Sequence, residues 1–193
     1  PRSGEDGQSI TLPVPGPIEG VQADGAPGDP ISEAEHLDGV GVVVAGAGIG
    51  GSALATVLAQ AGLSVLVLEK ETEYRDRVRG EWLAPWGVVE SKRLGLYETL
   101  LAAGGHHLSE HRTYHDSLDA ARTPLNTVDL RGLLPEVPGP LCLGHPTMCR
   151  ILSEAAGAAG AKLLRGAAGI ELGAPERGRR ELRFEHAGST HTV

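Results

Sequence analysis

The chain has 193 residues, of which 40% are apolar, 3% aromatic and 22% charged, with 28 glycines and 13 prolines. That length holds one domain with a full core, or one domain and part of another, and no apolar run reaches the ~18 residues of a membrane-spanning helix. The formal charge of −8 argues against nucleic acid as a partner, and two cysteines without CxxC spacing make no disulfide framework and point to a reduced, cytoplasmic setting.

The charge is unevenly spread. Residues 1–38 carry eight acids (Glu5, Asp6, Glu19, Asp24, Asp29, Glu33, Glu35 and Asp38) against Arg2. This segment is rich in Gly and Pro and has no sustained period, so it reads as a disordered acidic leader or linker ahead of a domain spanning 39–193. The chain opens on Pro1, and no basic region followed by an apolar segment marks an export signal.

Residues 41–51 read GVVVAGAGIGG. Val42 to Ala45 are too few for a helix and rich in β-branched residues, as in a central parallel strand. Ile49, Ala53, Leu54, Val57, Leu58 and Ala61 then recur on one helical face, with Gly62 where a C-terminal cap belongs. Ser64 to Leu68 predict a second buried strand that ends in Glu69. Within this strand, turn, helix and strand, Gly46, Gly48 and Gly51 satisfy GxGxxG. The first permits the tight turn, the second lets backbone approach a pyrophosphate, and the third lets the helix pack on the strand. The free N–H groups and partial positive charge of the helix N-terminus then suit phosphates. Glu69, 23 residues beyond Gly46, stands where a carboxylate accepts hydrogen bonds from ribose hydroxyls and repels a 2′-phosphate. The fingerprint alone leaves NAD and FAD both open.

After Glu69 the chain turns polar and Arg-bearing, and becomes helical from about Pro85, with Val88, Val89, Leu94, Leu96, Leu100 and Leu101 as apolar members. Helix 146–159 follows, with Met148, Ile151, Leu152, Ala155 and Ala159 on its core face and Arg150 off it. Lys162 to Leu164 read as a strand. Residues 168–172, 181–186 and 189–193 read as strands of an antiparallel layer, with GAPERGRR as the loop between the first two.

Three stretches resemble the group A flavoprotein monooxygenases, the single-component hydroxylases of the para-hydroxybenzoate hydroxylase type. GAGIGGSALATVLAQAGLSVLVLEK is similar to that family's FAD fingerprint. RVRGEWLAPWGVVESKRLGL resembles its arginine-bearing segment before a helix, and GHPTMCRILSEAAGAAGAKLLRGAAGIEL its flavin-contacting helix and strand pair. The resemblance implies a Rossmann-like, doubly wound α/β FAD-binding domain with part of a β-rich substrate domain. It places the ADP half of FAD on Gly46, Gly48, Gly51 and Glu69, with Ile49, Gly50 and Lys70 beside them. It places Arg79, or else Arg77, at the phosphates, work suited to a guanidinium fork, and His145 near the ribityl chain, where the family often has Gln or Arg. It also implies reduction by NADH or NADPH, a flavin C4a-hydroperoxide formed with O₂, and oxygen transfer to a phenolic or other electron-rich small molecule. No catalytic acid or base is assigned, because the cofactor carries the hard chemistry. In that family a "DG" segment after the strand pair and a later "GD" segment complete the flavin site; neither follows the strand pair here, so the resemblance implies an incomplete FAD domain that binds FAD weakly or not at all.

Rival readings are another FAD oxidoreductase of the same fold, such as a polyprenyl reductase or halogenase, and an NAD-binding module without redox chemistry. His107, Glu110 and His111 spell HxxEH, with His115 four residues on, but zinc ligation at that spacing needs a helix, and Thr113 and Tyr114 favour a strand. A solvated, histidine-rich strand entry is the expectation. Cys142 and Cys149 read as small buried side chains, and Trp82 and Trp86 as core packing ahead of a substrate cavity.

Overall fold

The computed structural model describes residues 39–76, 82–113 and 127–193. The acidic leader, Arg77, Arg79 and His115 lie outside the described residues. In chain order the elements are β1 (Val42–Ala45), α1 (Ile49–Gln60), β2 (Val65–Glu69), β3 (Trp82–Leu83), α2 (Pro85–Arg93), α3 (Tyr97–Ala102), β4 (His106–His107), β5 (Glu110–Arg112) and β6 (Thr127–Asp129). They continue with β7 (Leu141–Cys142), α4 (His145–Ala158), β8 (Lys162–Arg165), β9 (Ala168–Glu176), β10 (Arg179–His186) and β11 (Ser189–Thr192).

A parallel sheet in the order β1-β2-β8 carries the architecture. All five residues of β2 are buried, because a central parallel strand is covered on both faces and can be apolar throughout. On one face Val44, Val65 and Val67 pack against Ala47, Ala55 and Ala59 of the turn and α1 and against Ala156 of α4. On the other, Leu66 and Leu68 meet Leu182 and Phe184 of β10, within an antiparallel meander of order β11-β10-β9. The result is a Rossmann-like α/β core with helices on one face and a β layer on the other. A second cluster joins Val88 of α2, Leu100 of α3, Leu141 of β7 and Met148 and Leu152 of α4. There β7 pairs antiparallel with β3 and with β4, while β5 pairs with β6.

The structure departs from the sequence reading in five places. The buried face of α1 is Ser52, Ala55, Thr56 and Ala59, and Leu54 of the apolar set is 50% exposed. The helix packs on both the sheet and α4, where small side chains permit close approach. The buried hydroxyls find carbonyls, Ser52 Oγ donating to Ala47 O and Thr56 Oγ1 to Ser52 O. Cys142, read with Cys149 as a small buried side chain, is only half-buried on β7, whereas the helix from Pro85 does end before Leu94 to Leu96, with α3 following Gly95 at φ +72°. The expected loop GAPERGRR is mostly strand, and the chain reverses at Arg177 and Gly178, both at positive φ, the conformation of a two-residue hairpin turn. Trp82 and Trp86 are 49% and 73% exposed, not core, since β3 and the start of α2 lie at the margin of the second cluster.

The fifth departure is His107, which is not solvated. Its Nδ1 lies 2.8 Å from the Gly139 carbonyl and its Nε2 2.8 Å from the Tyr97 hydroxyl. A carbonyl only accepts, so Nδ1 carries the proton and Nε2 accepts from Tyr97. The HxxEH stretch falls on β4 and β5, not on a helix. Among the described residues no group of three His, Cys, Asp or Glu side chains is placed to hold a metal ion.

Candidate dinucleotide site

β1 ends at Ala45, and Gly46 turns the chain at φ +99° while its N–H donates to Leu68 O at 2.7 Å. This bond holds the turn to the end of β2. Gly48 is the N-cap of α1, with no side-chain cap and no acidic residue in the first turn. Ser52 N–H donates to Gly48 O, the first bond of the helix. The N–H groups of Ile49, Gly50 and Gly51 therefore have no intrahelical partner, and no carboxylate of the first turn neutralises the partial positive charge there.

The three glycines of the fingerprint do different work. A Cβ at Gly51 would stand 1.9 Å from the Gly46 carbonyl oxygen, so this position is closed to any side chain. Gly46 needs its positive φ. At Gly48, and at Gly50 beyond it, a Cβ would meet nothing within 4 Å. The helix start thus opens onto free space bordered by main-chain donors. Such a cradle admits a pyrophosphate, and the residues present fit the ADP half of FAD.

Glu69 ends β2 with its side chain turned toward this cradle. Its Oε2 accepts from Ala47 N–H at 2.6 Å and its Oε1 from Glu71 N–H at 2.9 Å. The residue is 9% exposed, and two charge-assisted bonds from main-chain amides offset the cost of placing the carboxylate there. Each oxygen keeps further lone-pair capacity for a ribose hydroxyl. Lys70 follows, exposed. His145 opens α4, with its Nε2 3.6 Å from Cys149 Sγ one turn on. The structure thus brings the glycine turn and Glu69 together, while His145 stands at the start of the neighbouring helix. Arg150 pairs with Glu154 on the exposed side of α4.

Tyr74 belongs to the same arrangement and escaped the sequence reading. Its hydroxyl donates to Ala47 O at 2.6 Å, across 27 positions of sequence. The guanidinium of Arg165, at the end of β8, lies 4.3 Å over its ring. A cavity of about 330 Å³ opens between residues 72–74 and the first turn of α4. The available signal was a lone aromatic in the polar stretch ETEYRDR of a chain with only three tyrosines.

The family described as FAD binding domain matches residues 39–193. The chain belongs to that family. The resemblance to group A flavoprotein monooxygenases therefore holds at the level of domain and fold. Rat squalene monooxygenase is 42% identical over 67 residues, 35% of this chain and 12% of that protein. Squalene epoxidase 5 of Arabidopsis thaliana is 33% identical over 92 residues, 48% and 18% of the respective lengths. The chain therefore spans less than a fifth of these relatives. Among solved structures, p-nitrophenol 4-monooxygenase PnpA from Pseudomonas putida superposes with a TM-score of 0.65 at 18% identity, covering 78% of this chain and 37% of that one. Aklavinone-11 hydroxylase, solved with FAD and aklavinone, gives 0.64 at 18% identity, with 80% and 31% covered. At such identities the likeness is one of fold. No helix among the described residues is long and apolar enough to cross a membrane.

Proposed function

We propose that this chain is the FAD-binding portion of a monooxygenase that inserts one atom of O₂ into an electron-rich small molecule, reducing the other to water with electrons from NADH or NADPH. The observation that supports this most directly is the open, uncapped start of α1 at Gly48, with Glu69 beside it, in a chain of the FAD binding domain family. In this reading the N–H groups of Ile49, Gly50 and Gly51 meet the pyrophosphate, Gly46 sets the turn and Gly48 keeps the approach clear. Glu69 accepts from the adenosine ribose, and Lys70 lies beside it. Arg79 reaches the phosphates and His145 the ribityl side. Bound flavin would supply the electron transfer between nicotinamide and dioxygen. The protein's part is to hold it, orient it and keep water away.

The substrate class follows the relatives in two directions. The p-nitrophenol 4-monooxygenase of like fold is named for a phenol, whereas relatives similar in sequence are named for squalene, an alkene. An electron-rich π system is common to both. The two cysteines, without CxxC spacing, fit a reducing, cytoplasmic setting. The test is NAD(P)H-driven O₂ uptake by the FAD-loaded full-length monooxygenase that carries this portion, with a phenol and with squalene, using isotopically labelled dioxygen. A product carrying one labelled oxygen is expected from one of them. FAD binding with substrate reduction or halogenation instead would favour the other oxidoreductases of this fold, and NAD binding without FAD would overturn the reading.

A further inference from the structure

We propose that Tyr74 is a positioning residue that presets the cofactor turn by fixing the carbonyl of Ala47, and that Arg165 and Ser153 hold Tyr74 in place for this work. The inference rests on the reading of the glycine turn as the pyrophosphate site. Ala47, fully buried, is gripped at both main-chain polar groups. Its N–H donates to Glu69 Oε2 at 2.6 Å, and its carbonyl accepts from Tyr74 Oη at 2.6 Å and from Ser52 Oγ at 3.0 Å. Both lone pairs of that oxygen are thus used.

The consequence lies in the next residue. The Ala47 carbonyl and the Gly48 N–H belong to one planar trans peptide, so the two point in opposite directions. Drawing the carbonyl toward Tyr74 and Ser52 aims the Gly48 N–H the other way. A turn left to itself could rotate that peptide and present the oxygen instead, a lone pair where a phosphate oxygen would have to sit. Ser52 is a helix residue of the fingerprint segment. Tyr74 comes from beyond β2 and carries the second, independent constraint.

What holds Tyr74 is unusual in its cost. Arg165 Nη2 donates to Ser153 Oγ at 3.2 Å, and that hydroxyl in turn donates to Arg150 O. Arg165 Nη1 is buried without a hydrogen-bond partner among the described residues. An unpaired buried donor on a cation is expensive, and the face of the Tyr74 ring 4.3 Å away is the favourable contact that offsets it. Glu69 is the ladder neighbour of Arg165, yet its carboxylate is committed to Ala47 and Glu71. The path runs from α4 through β8 and Tyr74 to the turn.

The test titrates FAD, ADP and riboflavin into the full chain and into Tyr74→Phe, Arg165→Lys, their double variant and Gly48→Val. Tyr74→Phe keeps the ring and its stacking and removes one hydrogen bond. It is expected to weaken FAD and ADP alike by about 2- to 10-fold, to leave riboflavin unchanged, and to speed hydrogen exchange at the Ala47 amide while β2 amides keep their protection. Arg165→Lys should weaken ADP in the parent and add nothing in the Tyr74→Phe background. A merely structural tyrosine would lower the melting temperature and leave the ADP affinity and Ala47 exchange as they are, which would overturn the proposal. If Tyr74→Phe does not fold, the Arg165→Lys titration decides, and unchanged ADP affinity there also overturns it. Gly48→Val separates the two levels. Loss of ADP binding in that variant with none in Tyr74→Phe sinks the role of Tyr74 alone, and undiminished binding in Gly48→Val sinks the site.

Discussion

Glu69 Oε2 lies 2.6 Å from Ala47 N, tying the end of β2 to the glycine turn that precedes α1. The carboxylate of the fingerprint is therefore a structural brace of the turn before any ribose arrives. Glu69→Ala would leave the buried Ala47 N–H unpaired, at a cost of about 1–3 kcal/mol, and is expected to lower both the melting temperature and the affinity for ADP. Glu69→Gln keeps one acceptor and should fall between. Calorimetry of folding and of ADP binding on the same samples checks both. A ribose contact alone would leave the melting temperature of the free protein untouched.

The two glycines at the start of α1 should behave oppositely. Gly51→Ala places a Cβ against the Gly46 carbonyl, which neither backbone can avoid, so a loss of at least about 3 kcal/mol of stability is expected. Gly50→Ala meets no atom within 4 Å and lies in the helix, where alanine is favoured over glycine by about 0.5–1 kcal/mol. Chemical denaturation of both variants measures the contrast.

Strand β1 and the GxGxxG turn were legible because they rest on local rules: β-branched runs make strands, and glycine alone tolerates the turn. The buried side of α1 was not legible. Apolarity marks Leu54 as core, whereas the neighbouring α4 demands the small Ser52 and Ala55, and distance between helices is not written in one helix's composition. Tyr74 was missed for the same reason at longer range, since its partner is a main-chain oxygen 27 positions away.

The meander should be anchored by one side chain. Phe184 is fully buried, against Leu66 and Leu68 of β2, whereas Leu172 on β9 is 61% exposed. Phe184→Ala is expected to cost about 3–5 kcal/mol and Leu172→Ala less than about 0.5 kcal/mol. Urea unfolding of the two variants distinguishes a docked β layer from a loose one, in which the costs would be alike.

Asp129 is held by Arg131, whose guanidinium and main-chain N–H both donate to its carboxylate. The side-chain bonds, then the main-chain bond, lower its pKa from 3.8 to about 2. A depressed carboxylate pKa stabilises the fold above the unfolded value and loses that contribution as pH falls from about 3.8 through about 2. In Arg131→Ala the Asp129 carboxyl, followed by NMR, should titrate closer to its ordinary value. The pair lies exposed at the surface, so global stability at neutral pH should barely change.

The start of α1 is proposed to receive the pyrophosphate of FAD. Gly48→Val tests it most directly, because a Cβ there meets nothing within 4 Å and Gly48 has an ordinary φ of −71°. The measurement is FAD binding by calorimetry, with the melting temperature of the ligand-free protein taken alongside. The expected result is a folded variant with its melting temperature preserved and FAD binding abolished. A folded Gly48→Val protein that binds FAD as tightly as the parent would contradict it.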